Sequence, residues 1–212
     1  TVPELVDVLL TDREKGPTYA LVEHFISVDG EGPTAGALSV FIRLAGCNLR
    51  CTWCDTCYAQ THQSATESIS LTQLVDYVNQ TGIAHVTLTG GEPLLWPDFW
   101  TLYEELNDMG FLVSINTNGS LIDDEVVERF LQKAPHQVNI TLYGASDETY
   151  QRLCGANHVF TKVDSAIRKL VEAGIAVKLN CSLTPDNAQD LEWMIDYAKE
   201  KNLVVQLGYM YR

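Results

Sequence analysis

The chain has 212 residues, 46% apolar and 20% charged, values that fit a globular protein with a sizeable core and set aside disordered and collagen-like classes. Its net charge is −14 with no basic cluster to follow a phosphate backbone, so nucleic acid and anionic membrane are poor main partners. No apolar run approaches the ~20 residues of a membrane span, and "TVPELVDVLLTDREKG" lacks the n-region and cleavage site of a signal peptide, so a cytoplasmic location is expected.

No linker or low-complexity segment divides the chain, which reads as one domain over residues 1–212 with an N-terminal extension at 1–19. From Ser39 onward strand and helix signals alternate. "SVFIRLAG" is a β-branched and aromatic run leading into a cysteine loop, and "ISLTQLVDYVNQTG" has apolar residues at helical spacing between a start at Ser70 and a stop at Gly82. Strands then follow at "HVTLTGG", "LVSINTNG", "QVNITLYG", "VKLNCSLT" and "LVVQLGYM". Helices lie between them at "DFWTLYEELNDMG", "DDEVVERFLQKA", "FTKVDSAIRKLVEAG" and "DLEWMIDYAKEKN". Six strands joined by helices through short Gly-marked turns predict an α/β fold, a parallel sheet with right-handed crossovers.

These strands do not read as the continuous apolar runs of a sheet buried on both faces. In "QVNITLYG", Asn139, Thr141 and Tyr143 share one face and Val138, Ile140 and Leu142 the other. Lys178, Asn180 and Ser182 repeat the pattern, as do Thr87 with Thr89 and Ser114 with Asn116 and Asn118. A polar face recurring in four strands predicts an incomplete (β/α)6 barrel, TIM-like but open, whose lumen holds a polar ligand. The loops at the strands' carboxyl ends then form the site.

The first of those loops, "GCNLRCTWCDTC", carries Cys47, Cys51, Cys54 and Cys57. These positions are too close in sequence to staple a secreted fold, so metal ligation in a reducing compartment is the better reading. A structural zinc site wants a second pair, and Cys154 and Cys181 stand singly, with nothing in the spacing of His24 or His62 to favour them. C-x3-C-x2-C offers three thiolates to a 4Fe–4S cube and leaves one iron open for chemistry. Cys57 reads as a non-ligand beside the site, the alternative being a four-cysteine electron carrier.

"CNLRCTWC" after one strand and "TGGEP" after the next resemble the radical S-adenosylmethionine (SAM) enzymes, a likeness that runs from about Ala20 to the end of the chain. The resemblance implies that Cys47, Cys51 and Cys54 hold the cluster and that SAM chelates its open iron. Gly90, Gly91, Glu92 and Pro93 would then hold the SAM amine. "FISVDGEGPTAGALSVFIRLAGCNLRCTWCDT" is more particular and is similar to the 7-carboxy-7-deazaguanine synthases of queuosine biosynthesis. That likeness implies a lyase that contracts the ring of 6-carboxy-5,6,7,8-tetrahydropterin with loss of ammonia, through a 5′-deoxyadenosyl radical. Glu31 would bond the pterin edge, Arg43 would pair with the substrate carboxylate, and Thr56, beside Asp55, would give an oxygen to Mg²⁺. A flavodoxin or ferredoxin would supply electrons, and an open barrel edge is one that a second copy of the chain can cover.

Two departures stand out. "NTNG" puts Asn116 where such enzymes often carry Glu near the SAM ribose. From Val138, "VNITLYGASDETYQRLCG" and "VKLNCSLTPDN" look more like the radical SAM cores of larger, peptide-modifying enzymes, a pattern that places Thr141, Asn180 and Arg152 near SAM. An enzyme acting on a peptide or protein is therefore the alternative, and an iron–sulfur electron carrier the second.

Overall fold

The computed structural model describes residues 16–29 and 36–210, so Gly30, Glu31 and Gly32 lie outside the described residues. Its single sheet has eight strands: β1 (Thr18–Val28), β2 (Leu38–Leu44), β3 (Glu67–Ser70), β4 (His85–Gly90), β5 (Leu112–Thr117), β6 (Gln137–Thr141), β7 (Val177–Leu183) and β8 (Val204–Tyr209). They lie in the order β3-β1-β2-β4-β5-β6-β7-β8. From β2 to β8 each neighbour pairs in parallel, giving the six expected strands in chain order. β1 and β3 add an antiparallel annex that the sequence pattern does not reveal, and β1 begins inside the stretch expected to be an extension.

Helices α1 (Leu71–Thr81), α2 (Phe99–Asp108), α3 (Asp124–Gln132), α4 (Asp147–Cys154), α5 (Val159–Glu172) and α6 (Leu191–Glu200) connect the parallel strands. The ends of α1 follow from local chemistry. Ser70 and Gln73 exchange a reciprocal capping box at its start, and Gly82 stops it at φ 66°, a backbone state costly for a residue with a Cβ. α4 is an addition to the expected helices. Eight residues are too few to show a helical period, and only the Ser146 cap and the left-handed Gly155 mark its ends.

Alternation along the strands sorts the two faces. Val40, Ile42, Val86, Leu88, Val113, Ile115, Val138, Ile140 and Leu179 are fully buried in one core with the helices, each contributing roughly 1.5–3 kcal/mol by burial. The opposite face is polar as expected. Paired residues share a face, so the register carries Arg43 to Thr89, Asn116 to Asn139 to Lys178, and Thr141 to Asn180 to Gln206.

β1 departs from simple alternation. Its register with β2 slips between Leu21 and Glu23, leaving Val22 as an extra residue. Such a bulge re-aims the side chains beyond it: Leu21 packs in the core opposite Leu44, yet Glu23 and Phe25 emerge on the polar face opposite Arg43 and Phe41. No helix among the described residues is long and apolar enough to cross a membrane.

Candidate active site

The cysteine loop leaves β2 and closes on itself. Gly46 N–H donates to the Ala59 carbonyl (2.8 Å) and Cys47 N–H to that of Gln60 (3.0 Å). Inside this ring the Arg50 guanidinium donates to the carbonyls of Cys47 (2.8 Å) and Leu49 (2.7 Å). The middle of the loop is stitched to the end of α4, where Arg50 N–H reaches the Cys154 carbonyl (3.0 Å) and Thr52 N–H that of Leu153 (2.8 Å). Trp53 Nε1 donates to Asp186 beyond β7 (3.1 Å).

Cys47, Cys51 and Cys54 are half-buried and Cys57 is exposed. Burial pushes the Cys47 thiol up to about 11 and raises that of Cys54. Cys51 goes the other way, held down chiefly by hydrogen bonding from Cys154 and also from Tyr143. Among the described residues no group of three or more His, Cys, Asp or Glu side chains gathers around a single ion. His24 pairs with Glu67 (3.3 Å) and packs on Tyr77, away from the loop, whereas the His62 ring lies against Gly46 and Trp96.

The segment Gly90–Pro93 packs directly under this loop. Gly91 N–H donates to the Leu44 carbonyl (3.0 Å) and Glu92 N–H to that of Gly46 (2.8 Å). A Cβ on Gly91 would stand 1.9 Å from the Gly46 carbonyl oxygen, and one on Gly90, at φ 123°, 2.1 Å from that of Leu44. Both glycines are therefore demanded by close backbone approach. Gly91→Ala is expected to displace the loop and lower the melting temperature by several degrees, measured by thermal unfolding; an unchanged midpoint would contradict the packing.

Glu92 is 1% exposed. Its carboxylate accepts from Thr117 Oγ1 (2.7 Å), Asn118 N–H (2.8 Å) and Leu94 N–H (3.2 Å). Three of roughly four lone-pair positions are thus taken, and the side chain ties the β4 loop to the end of β5. Burial raises it to about 7 in spite of those donors. Pro93 opens a short 3-10 turn beyond it.

Across the polar face Asn139 Nδ2 donates to Asn116 Oδ1 (2.7 Å), while Asn139 Oδ1 and Asn180 Oδ1 are buried with no partner. Buried acceptors left open call for a ligand that donates to them. Thr141 adjoins Asn180 in register, and Asn116 pairs with Asn139 in the row two residues below on the same face. Arg152 is not with them: it is exposed on α4 and donates to the Asp186 carbonyl (2.8 Å).

Arg43 stands on the same face beside the cysteine loop, its guanidinium near the rings of Phe25 (5.7 Å) and Tyr58 (5.6 Å). Its Nε lies 2.7 Å from Glu23 Oε1, which also accepts from the Tyr58 hydroxyl (3.0 Å). The Nε–H is not aligned with that oxygen, so the contact is an ion pair rather than a formed hydrogen bond. Thr56 Oγ1 donates to Asp55 Oδ1 (2.6 Å). Sequence reasoning missed Glu23, Tyr58, Tyr143 and Cys154. The first was concealed by the bulge at Val22, and the others carry no local motif.

The family model of the radical SAM superfamily matches residues 41–198. The chain belongs to that superfamily. The 7-carboxy-7-deazaguanine synthase of Clostridium acetobutylicum is 45% identical over 104 residues, 49% of this chain and 47% of that protein. QueE from Escherichia coli superposes with a TM-score of 0.59 at 19% identity, covering 93% of this chain and 97% of that one. SuiB from Streptococcus suis, bound to precursor peptide SuiA, gives 0.66 at 16% identity over 78% and 37% of the two chains. The chain spans less than two thirds of the length of the curated relatives it matches, 47% of the Clostridium acetobutylicum protein and 64% of that from Halobacterium salinarum.

Radical SAM membership implies a 4Fe–4S cluster and SAM. The residues fit both. Three half-buried thiols share one preformed loop, and open amide acceptors line the adjoining polar face.

Proposed function

We propose that this chain is a radical SAM lyase of the 7-carboxy-7-deazaguanine synthase type, acting on 6-carboxy-5,6,7,8-tetrahydropterin. The carrying observation is Arg43, a cation on the polar face beside the cysteine loop, flanked by two aromatic rings. A planar guanidinium suits bidentate capture of a carboxylate. The stacked rings of Phe25 and Phe41, 5.3 Å apart, give the same face a flat apolar wall for a bicyclic substrate. The likeness to the Clostridium acetobutylicum synthase supports the substrate class.

In this reading Cys47, Cys51 and Cys54 hold the cluster. The backbone of Gly90, Gly91, Glu92 and Pro93, together with Asn116, Thr141 and Asn180, holds SAM. Bound there, cluster and SAM supply one-electron chemistry that ends in abstraction of a substrate hydrogen. The chain's own residues orient and shield. Arg43 fixes the carboxylate, Glu31 bonds the ring edge, and the core-backed sheet excludes water. Thr56, with Asp55 against it, offers a hard oxygen to Mg²⁺. A flavodoxin or ferredoxin donates the electron, and a second copy of the chain covers the open edge of β8. Action on a peptide is the second reading, favoured by the likeness to SuiB.

The test is anaerobic. Reconstituted, reduced protein is given SAM and the carboxylated pterin, and deoxyadenosine and carboxydeazaguanine are quantified. Both products are expected. Arg43→Ala should cut carboxydeazaguanine formation at least ~100-fold, the scale of an unpaired buried charge, while SAM cleavage persists. Deoxyadenosine without deazaguanine in the wild type, or full pterin turnover in Arg43→Ala, would overturn the synthase reading.

A further inference from the structure

Unbroken alternation along β1 would turn Glu23 toward the core. Leu21 packs there, and residues two apart on a strand share a face. The extra residue at Val22 reverses this and sets Glu23 on the polar face, opposite Arg43 on the antiparallel neighbour. The carboxylate is held in turn. Its Oε1 lies 2.7 Å from Arg43 Nε and accepts from the Tyr58 hydroxyl (3.0 Å). Tyr58 belongs to the short turn Cys57–Ala59 that closes the cysteine loop. One carboxylate oxygen therefore joins β1, β2 and that loop at the point where Arg43 stands.

A guanidinium has five N–H donors, and a carboxylate standing at Nε leaves the Nη fork for a second carboxylate. A resident Glu can act on that second anion in two opposed ways. It repels it, and it removes the rotamer freedom that a long cation otherwise loses on binding. Exposure decides between them. The Glu23 side chain is 42% exposed, so water screens its charge, whereas Arg43 is 17% exposed and lies near the rings of Phe25 and Tyr58. The ordering outweighs the repulsion.

We propose that Glu23, held by Tyr58, is a positioning residue for Arg43: it braces the guanidinium from the Nε side, presents the Nη fork to the substrate carboxylate, and so sharpens selection of carboxylated over uncarboxylated pterins. The inference rests on the reading of Arg43 as the carboxylate site. Pre-organisation of this kind adds affinity without adding a contact to the ligand. Its loss falls on ligands that carry the carboxylate and spares those that do not.

The experiment measures binding rather than turnover. Reconstituted, unreduced protein with SAM is titrated against two fluorescent probes, 6-carboxypterin and pterin. The wild type is expected to prefer 6-carboxypterin. Glu23→Ala should weaken 6-carboxypterin about tenfold, within the range of coupled neighbours, and leave pterin unchanged. Tyr58→Phe keeps the ring over Arg43 and loses the donor to Glu23. It should weaken the same probe about threefold, which keeps the test open if Glu23→Ala folds poorly. Arg43→Lys keeps the charge but has no fork, so adding Glu23→Ala to it should change either probe by less than about twofold. A merely structural role for Glu23 predicts equal losses for both probes and the same loss beside Arg43→Lys, and either result would overturn the proposal. Tighter binding of 6-carboxypterin by Glu23→Ala would make Glu23 a competitor and overturn it equally. In each of these cases the carboxylate reading of Arg43 stands. A wild type that binds the two probes equally, or binds neither, overturns that reading instead, and the proposal with it.

Discussion

Alanine at Cys47, Cys51 or Cys54 is expected to leave the reconstituted protein without a 4Fe–4S cluster and SAM cleavage at background, whereas Cys57→Ala keeps both. A cube held by three thiolates has no surplus ligand, so each loss is complete rather than partial. The four substitutions should cost similar, small amounts of stability. The loop is held by backbone bonds between Gly46 and Ala59, Cys47 and Gln60, and Thr52 and Leu153, none of which involves a thiol. A matched set of circular dichroism spectra therefore separates loss of the cluster from loss of the fold, and iron, sulfide and deoxyadenosine assays read the cluster. The reading fails if Cys57→Ala loses the cluster along with the other three. That result would restore the four-cysteine carrier.

Glu92→Ala should be the most destabilising single change near the site, by about 3–5 kcal/mol. It strands three donors at once, the buried Thr117 hydroxyl and the half-buried N–H groups of Leu94 and Asn118, and an orphaned buried donor costs about 1–3 kcal/mol before relaxation. The same residue sets a pH dependence. In the native protein it titrates near 7, against an ordinary 4.5, because burial penalises the carboxylate more than its donors support it. The native state therefore binds more protons than the unfolded chain between those values. The stability Glu92 contributes is greatest below pH ~4.5, falls as pH rises through the window, and is level above ~7. Two and a half pK units correspond to about 3 kcal/mol. Urea unfolding of the cluster-free protein at pH 5 and pH 8 measures this. Glu92→Gln, which has no proton to lose, should flatten that part of the profile. Identical pH slopes for wild type and Glu92→Gln would show that burial at this carboxylate does not control the effect.

The parallel sheet was legible because its strands alternate over five or more residues with one consistent polar face, and α1 because Ser70, Gln73 and Gly82 encode both ends locally. β1 was not, since the extra residue at Val22 interrupts the alternation that would have marked it. β3, four residues long, is defined by its partner rather than by its own pattern. At the site, the cysteine spacing and the Gly-Gly-Glu-Pro turn were readable because their chemistry is contiguous. Why both glycines are needed became visible only when the Gly46 and Leu44 carbonyls were placed against them. Glu23 and Tyr58 meet Arg43, and Tyr143 and Cys154 meet Cys51, through tertiary approach alone, which no window of sequence contains.

The ring closed by Gly46, Cys47, Ala59 and Gln60, with its stitches to α4, separates metal loading from folding. In a small zinc module the ligands find one another only when the ion arrives, and chelation unravels the chain. Here the cysteine loop is held by backbone hydrogen bonds to its own closing turn and to α4, none of them made through a thiol. The entropy of ordering it is then met when the chain folds, so a chain stripped of iron is expected to keep its circular dichroism spectrum and to take the cluster up again. For an oxygen-labile cofactor, that makes damage to the cluster a repairable event rather than the end of the protein.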